Sequence, residues 1–302
     1  MYTSFYKLDK APFAFAPSPE CFYANTELCE SLRTLRRVIS RGEGPALVVG
    51  PNGTGKSTVC ELLVEHFRKS HQIVHFRNAS FATGRDLIEQ FLLSLGGTVQ
   101  QTTAELRAAI VSRVCNLVEN PEPILLVVDE AHRMPSEIIR ELQSLQNIVH
   151  QGNSRICIIL AGTLKIEELL TDPTLSSFNQ RIAHRCYVAA ASRMETKALI
   201  NEQLVQAGRS VSEIFTREAL RRIYEFTQGV PRIINLLADR CLIVGKQREM
   251  QVIEEYDVEI AWADLQQLPP PKPATTAEES TSKKDNSAEP SSTVEFGMLS
   301  DV

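Results

Sequence analysis

The run Gly50, Pro51, Asn52, Gly53, Thr54, Gly55, Lys56, Ser57 constrains this chain more than any other, because it has the spacing G-x-x-x-x-G-K-[ST]. It follows an apolar run at 46–50 and precedes a stretch of helical character at 58–69. A glycine-rich loop between strand and helix can wrap its main-chain amides, and the positive end of the helix, around phosphate oxygens. Residues 50–58, Thr58 included, are therefore the expected cradle for a nucleotide. Lys56 would neutralise β- and γ-phosphates, and Ser57 would offer its hydroxyl to Mg²⁺. An ordinary glycine-rich turn would require neither the lysine nor these flanks.

Short apolar runs at 46–50, 72–76, 124–128, 156–161 and 185–188 alternate with segments of helical period. That alternation predicts an α/β domain with a five-stranded, mostly parallel sheet flanked by helices. After Ser192 the strand signal stops, and 195–207, 216–227 and 232–246 carry apolar residues at helical spacing, which predicts a smaller all-helical lid. The expected organisation is an N-terminal segment at 1–41 packing on the core, a nucleotide-binding domain at 42–191, the lid at 192–268 and a disordered polar tail at 269–302. The tail is too poor in apolar residues to offset the entropy of ordering it.

The 302 residues are 43% hydrophobic, enough to bury a full core, and the formal net charge of -5 disfavours a protein that coats nucleic acid by bulk electrostatics. Seven scattered cysteines form no zinc-ligand pattern and read as reduced thiols of a cytoplasmic protein. No apolar window approaches the roughly 18 residues or more of a membrane span.

Downstream, Ile124-Leu-Leu-Val-Val-Asp-Glu-Ala-His132 ends a buried strand in two carboxylates. Ligands of open α/β sheets bind at that edge. Asp129 is expected to hold the hydration shell of Mg²⁺, and Glu130 to orient and polarise the attacking water. His132 is expected at the surface or behind this pair. The run 72–76 between the two motifs, with Glu130 directly after Asp129, favours the ATPase branch that inserts a strand between the motif strands. No guanine-reading Asn-Lys-x-Asp is present, so ATP is the expected nucleotide.

Further blocks resemble the AAA+ ATPases of the general secretion pathway protein A type, called ExeA-like. These are Phe5-Tyr-Lys-Leu-Asp-Lys-Ala-Pro-Phe13 with Pro17-Ser-Pro and Phe22-Tyr23, the Asp129-Glu-Ala-His tetrad with Leu142-Gln-Ser-Leu-Gln-Asn147, Asn179-Gln-Arg-Ile182, and Gln228-Gly-Val-Pro-Arg-Ile-Ile-Asn235. The resemblance implies a P-loop fold with a Walker A loop at 50–57 and a Walker B pair at Asp129 and Glu130. It also implies a sensor-2 arginine at Arg232, an arginine finger offered to a neighbouring subunit at Arg181 with Arg185 as the alternative, and a sensor-1 residue at Thr163. Gly162-Thr-Leu-Lys-Ile166 departs from the family's usual G-Q-P-E-L, and Pro51 replaces a common glutamate; neither change removes a catalytic group.

Many such relatives continue into a membrane helix and a peptidoglycan-binding module, where this sequence has its polar tail. The expected function is a cytoplasmic, homo-oligomeric ATPase that remodels a protein partner of a secretion or pilus machine and reaches the inner membrane through that partner. Two alternatives stay open: a DNA-associated ATPase of transposition, similar to the TniB-like group, and a non-catalytic nucleotide-dependent scaffold.

Overall fold

The structure, a computed structural model, describes residues 2–13, 25–116, 122–150, 153–269 and 271. Pro17-Ser-Pro, Cys21, Phe22-Tyr23 and nearly all of the expected tail lie outside the described residues.

Five strands form one parallel sheet: β1 (Ala46–Val49), β2 (Gln72–Phe76), β3 (Ile124–Val128), β6 (Ile156–Gly162) and β7 (His184–Tyr187), in the order β2-β3-β6-β1-β7. A two-residue antiparallel pair, β4 (Val149–His150) with β5 (Asn153–Ser154), precedes β6. The expectation of five strands is met almost residue for residue, since near-continuous Val, Ile and Leu runs can be satisfied only with helices on both faces.

Strand parity divides the core. Leu126, Val128, Ile158 and Leu160 face the helices α4 (Gly84–Ser94), α5 (Thr103–Asn116) and α6 (Ser136–Gln146). Their neighbours Leu125, Val127, Ile159 and Ala161 face α2 (Thr26–Arg41) and α3 (Lys56–Phe67). The α2 helix starts at Asn25, whose side chain accepts from the Leu28 amide, and stops at Gly42, whose φ of 60° is left-handed. Between those caps Leu32, Leu35, Val38 and Ile39 recur on one face and pack toward the sheet.

The strand order bears out the branch with a strand inserted between the motif strands. That strand, between β1 and β3, is β6, while β2, which falls between the motifs in sequence, lies at the sheet edge beyond β3. Sequence order could not give this, because parallel strands are joined by crossovers that skip positions. The parallel sheet brings the ends of β1, β3 and β6 to one edge, with β6 in the middle.

Beyond the sheet, α9 (Arg193–Val205), α10 (Val211–Ile214), α11 (Arg217–Thr227), α12 (Pro231–Gln247) and α13 (Glu255–Leu265) close a second hydrophobic cluster. Ser192 and Glu195 form a capping box that starts α9, and Pro231 opens α12 at a position where no amide is needed. The N-terminal segment divides between the cores: Tyr6 of α1 (Tyr2–Tyr6), Leu8 and Phe13 join the helical cluster, while α2 packs against the sheet.

Candidate functional site

The loop after β1 is held by its own polar groups. Gly50 donates to the Gly162 carbonyl at 3.2 Å, tying the loop's entry to β6, and Thr54 Oγ1 donates to the Pro51 carbonyl at 2.9 Å. Gly55 has φ 106° and leads straight into α3, a turn that a β-carbon would strain. Gly53 is also left-handed, at φ 81°, and a β-carbon there would sit 2.9 Å from Val230 Cγ1 and 3.2 Å from Arg232 Cβ. The start of α12 thus lies directly on the loop, and the Arg232 amide donates to the Gly53 carbonyl at 3.2 Å.

Lys56 is 5% exposed, and its Nζ donates to the Pro51 carbonyl at 2.8 Å. Burial lowers its pKa, against the opposing pull of Glu130 and Asp129. Ser57 Oγ donates to Asp129 Oδ2 at 2.5 Å, and Asp129 Oδ1 accepts from the Glu130 amide at 2.8 Å. Residues 72 positions apart in sequence, expected to serve the same cation, are therefore in contact.

Glu130 turns the chain off the strand with φ 56°, a left-handed conformation uncommon for a side chain of this size. Its Oε2 lies 3.3 Å from Arg133 Nε and 3.9 Å from His132 Nε2. Thr163 begins immediately after β6, between the loop and the carboxylates, and its buried Oγ1 has no hydrogen-bond partner among the described residues. A buried hydroxyl left in this way is costly unless a ligand completes it. Basic Nζ, the glycine cradle, the Ser57–Asp129 pair and this hydroxyl fit a nucleotide with a divalent cation.

The expected arginines separate. Arg232 meets the phosphate loop. Arg181 ends α8 (Ser176–Gln180), is exposed, and its Nη1 donates to Asn147 Oδ1 at 2.5 Å. Arg185 lies on β7, donates to Asn179 Oδ1 at 2.5 Å and lies 3.6 Å from Glu167 Oε1 on α7 (Lys165–Leu169).

His132 is the residue that sequence reasoning placed too loosely. It packs against Gly162, where a β-carbon would come within 3.2 Å of its N and Nδ1. The histidine in Asp-Glu-Ala-His was visible, but its neighbour across β6 was not.

Residues 38–170 match the family described as an AAA domain. That stretch, which holds the phosphate loop and both carboxylates, is similar to an AAA domain. General secretion pathway protein A of Aeromonas hydrophila is 29% identical over 267 residues, covering 86% of this chain and 48% of that protein. The chain thus resembles the ExeA-like ATPases while spanning about half the length of that relative. Among solved structures, the Aeropyrum pernix ORC2 protein (ADPNP-ADP complexes) superposes with TM-score 0.64 at 16% identity, covering 85% of this chain and 72% of that one. The Thermotoga maritima RuvB Holliday junction branch migration motor gives TM-score 0.55 at 16% identity, with 83% and 73% covered. At those identities the likeness is one of fold, the P-loop AAA+ architecture. No described helix is long and apolar enough to cross a membrane.

Proposed function

We propose that this chain binds ATP with Mg²⁺ and hydrolyses it, using nucleotide state to drive homo-oligomer assembly and the remodelling of a protein partner in secretion or pilus biogenesis. One observation carries the chemistry: Lys56, the Ser57–Asp129 pair, Glu130 and Thr163 converge on one sheet edge, against the loop that α12 also touches. The loop amides and Lys56 hold the triphosphate, and Glu130 accepts the proton of the attacking water. Ser57 and Asp129 would hold Mg²⁺, which offsets the charge that grows on the phosphates as the terminal group leaves. Arg232 senses the γ-phosphate from the lid, and Arg181 serves the site of the next subunit. The secretion context is suggested by the relative's name, and a cytoplasmic location is supported by thiols that form no disulfide among the described residues.

Two variants test the chemistry. Glu130→Gln should bind ATP as the wild type does yet lose at least about 100-fold in turnover, while Lys56→Ala should weaken ATP binding itself. Turnover at the wild-type rate in both would defeat the assignment.

A further inference from the structure

We propose that His132 is a positioning residue that ties the carboxylate of Glu130 to the Thr163 loop, so that the water-activating group and the phosphate-facing loop move as one. The proposal rests on the reading of hydrolysis above.

Three contacts support it. The Thr163 main-chain N–H donates to His132 Nδ1 at 3.4 Å. On the far side of the ring, Nε2 lies 3.9 Å from Glu130 Oε2. Between them the ring rests on Gly162, the last residue of β6, where the absence of a side chain permits the approach. Strand β6 is the neighbour of β3, so the two ends that His132 bridges are adjacent at the sheet edge.

The bridge has a direction. Burial keeps the imidazole neutral by lowering its pKa, and the nearby cations Arg133, Lys56 and Lys165 add to that effect against Glu130. A neutral ring that accepts at Nδ1 carries its proton on Nε2, the nitrogen that faces the carboxylate. At 3.9 Å this contact is longer than a hydrogen bond, as catalytic contacts often are before substrate arrives. Arg133 competes for the same carboxylate oxygen from a side chain 62% exposed, where an ion pair is weak. The His132 side chain is 13% exposed and has little freedom to leave.

The tie matters because in-line attack requires a water held between Glu130 and the phosphate that Thr163 faces. A displacement of about 1 Å between such groups can cost on the order of 100-fold. Lysine and aspartate hold the nucleotide independently, so loss of the bridge should spare binding.

The test compares substitutions that keep one end of the bridge. His132→Ala should lower kcat by about 10- to 100-fold while leaving the affinity for ATP within about twofold of wild type. His132→Gln, whose amide can donate from near the position of Nε2, should retain most of the rate. His132→Asn, which can meet the Thr163 amide but falls short of Glu130, should remain as slow as the alanine variant. Wild-type kcat in His132→Ala, or a glutamine variant as slow as the alanine one with an unchanged melting temperature, would overturn the tie. A second readout does not depend on turnover: ¹⁵N signals of labelled His132 should report the Nε2–H form, and an Nδ1–H form would overturn the proposal alone. Wild-type protein that binds ATP without turnover would instead overturn hydrolysis, and the tautomer would then decide the tie.

Discussion

Arg181 and Arg185 show how side-chain partners separate two residues that sequence alone leaves paired. Arg185 is committed to Asn179 and to the Glu167 carboxylate of its own chain. Arg181 is exposed and, among the described residues, its side chain donates to the neutral Asn147, so leaving costs little. A guanidinium that must enter another subunit's pocket needs that freedom. Arg181→Ala should therefore lose about 1,000-fold in turnover, and mixing it with the also impaired Glu130→Gln should restore part of the rate, because each variant supplies what the other lacks. No recovery on mixing would place the finger elsewhere. That Ser57 and Asp129 meet was legible in the sequence because two local motifs carry them to one sheet edge. The setting of His132 was not, since it depends on Gly162, thirty residues further on and one strand across.

At the scale of elements, the strands were legible because a buried parallel strand is apolar on both faces. Helices α9, α11 and α12 were legible because their outer faces are polar. Helix α13 was missed because its inward positions include Asp257, only 1% exposed, which breaks the apolar period. That aspartate is held at both oxygens: Oδ2 accepts from the Glu254 amide at 2.9 Å, closing a capping box, and Oδ1 pairs with Arg248. Asp257→Ala should lower the unfolding free energy by about 2 kcal/mol in urea titrations, through loss of the cap and of a buried charge partner. Asp257→Asn keeps an acceptor for the cap and should lose less; equal losses would show that the cap contributes nothing. The strand order was not legible either, because it is set by which faces the crossover helices cover.

For the whole molecule, His71, His75, His132 and His184 all have pKa values lowered, with burial the first cause in each case. Their folded values fall below the unfolded value near 6.5, so in the window just below it the unfolded chain binds more protons. Stability is then fully present above that value and declines as pH falls through it. Thermal melts between about pH 7 and 5.5 should show a falling midpoint, and a flat or rising one would mean these rings are not buried neutral. Further loss should follow only below about pH 4.5, where the capping carboxylates Glu105, Asp172, Glu195 and Glu213, all held low by main-chain hydrogen bonds, take up protons.

The bond from the Arg232 amide to the Gly53 carbonyl is drawn between two backbones. Because neither atom belongs to a side chain, an exchange of residue type can disturb this fastening only by bending the chain or, with proline, by deleting the amide. Evolution can therefore retune the guanidinium above it while the mechanical linkage between lid and cradle persists as a property of the fold's path.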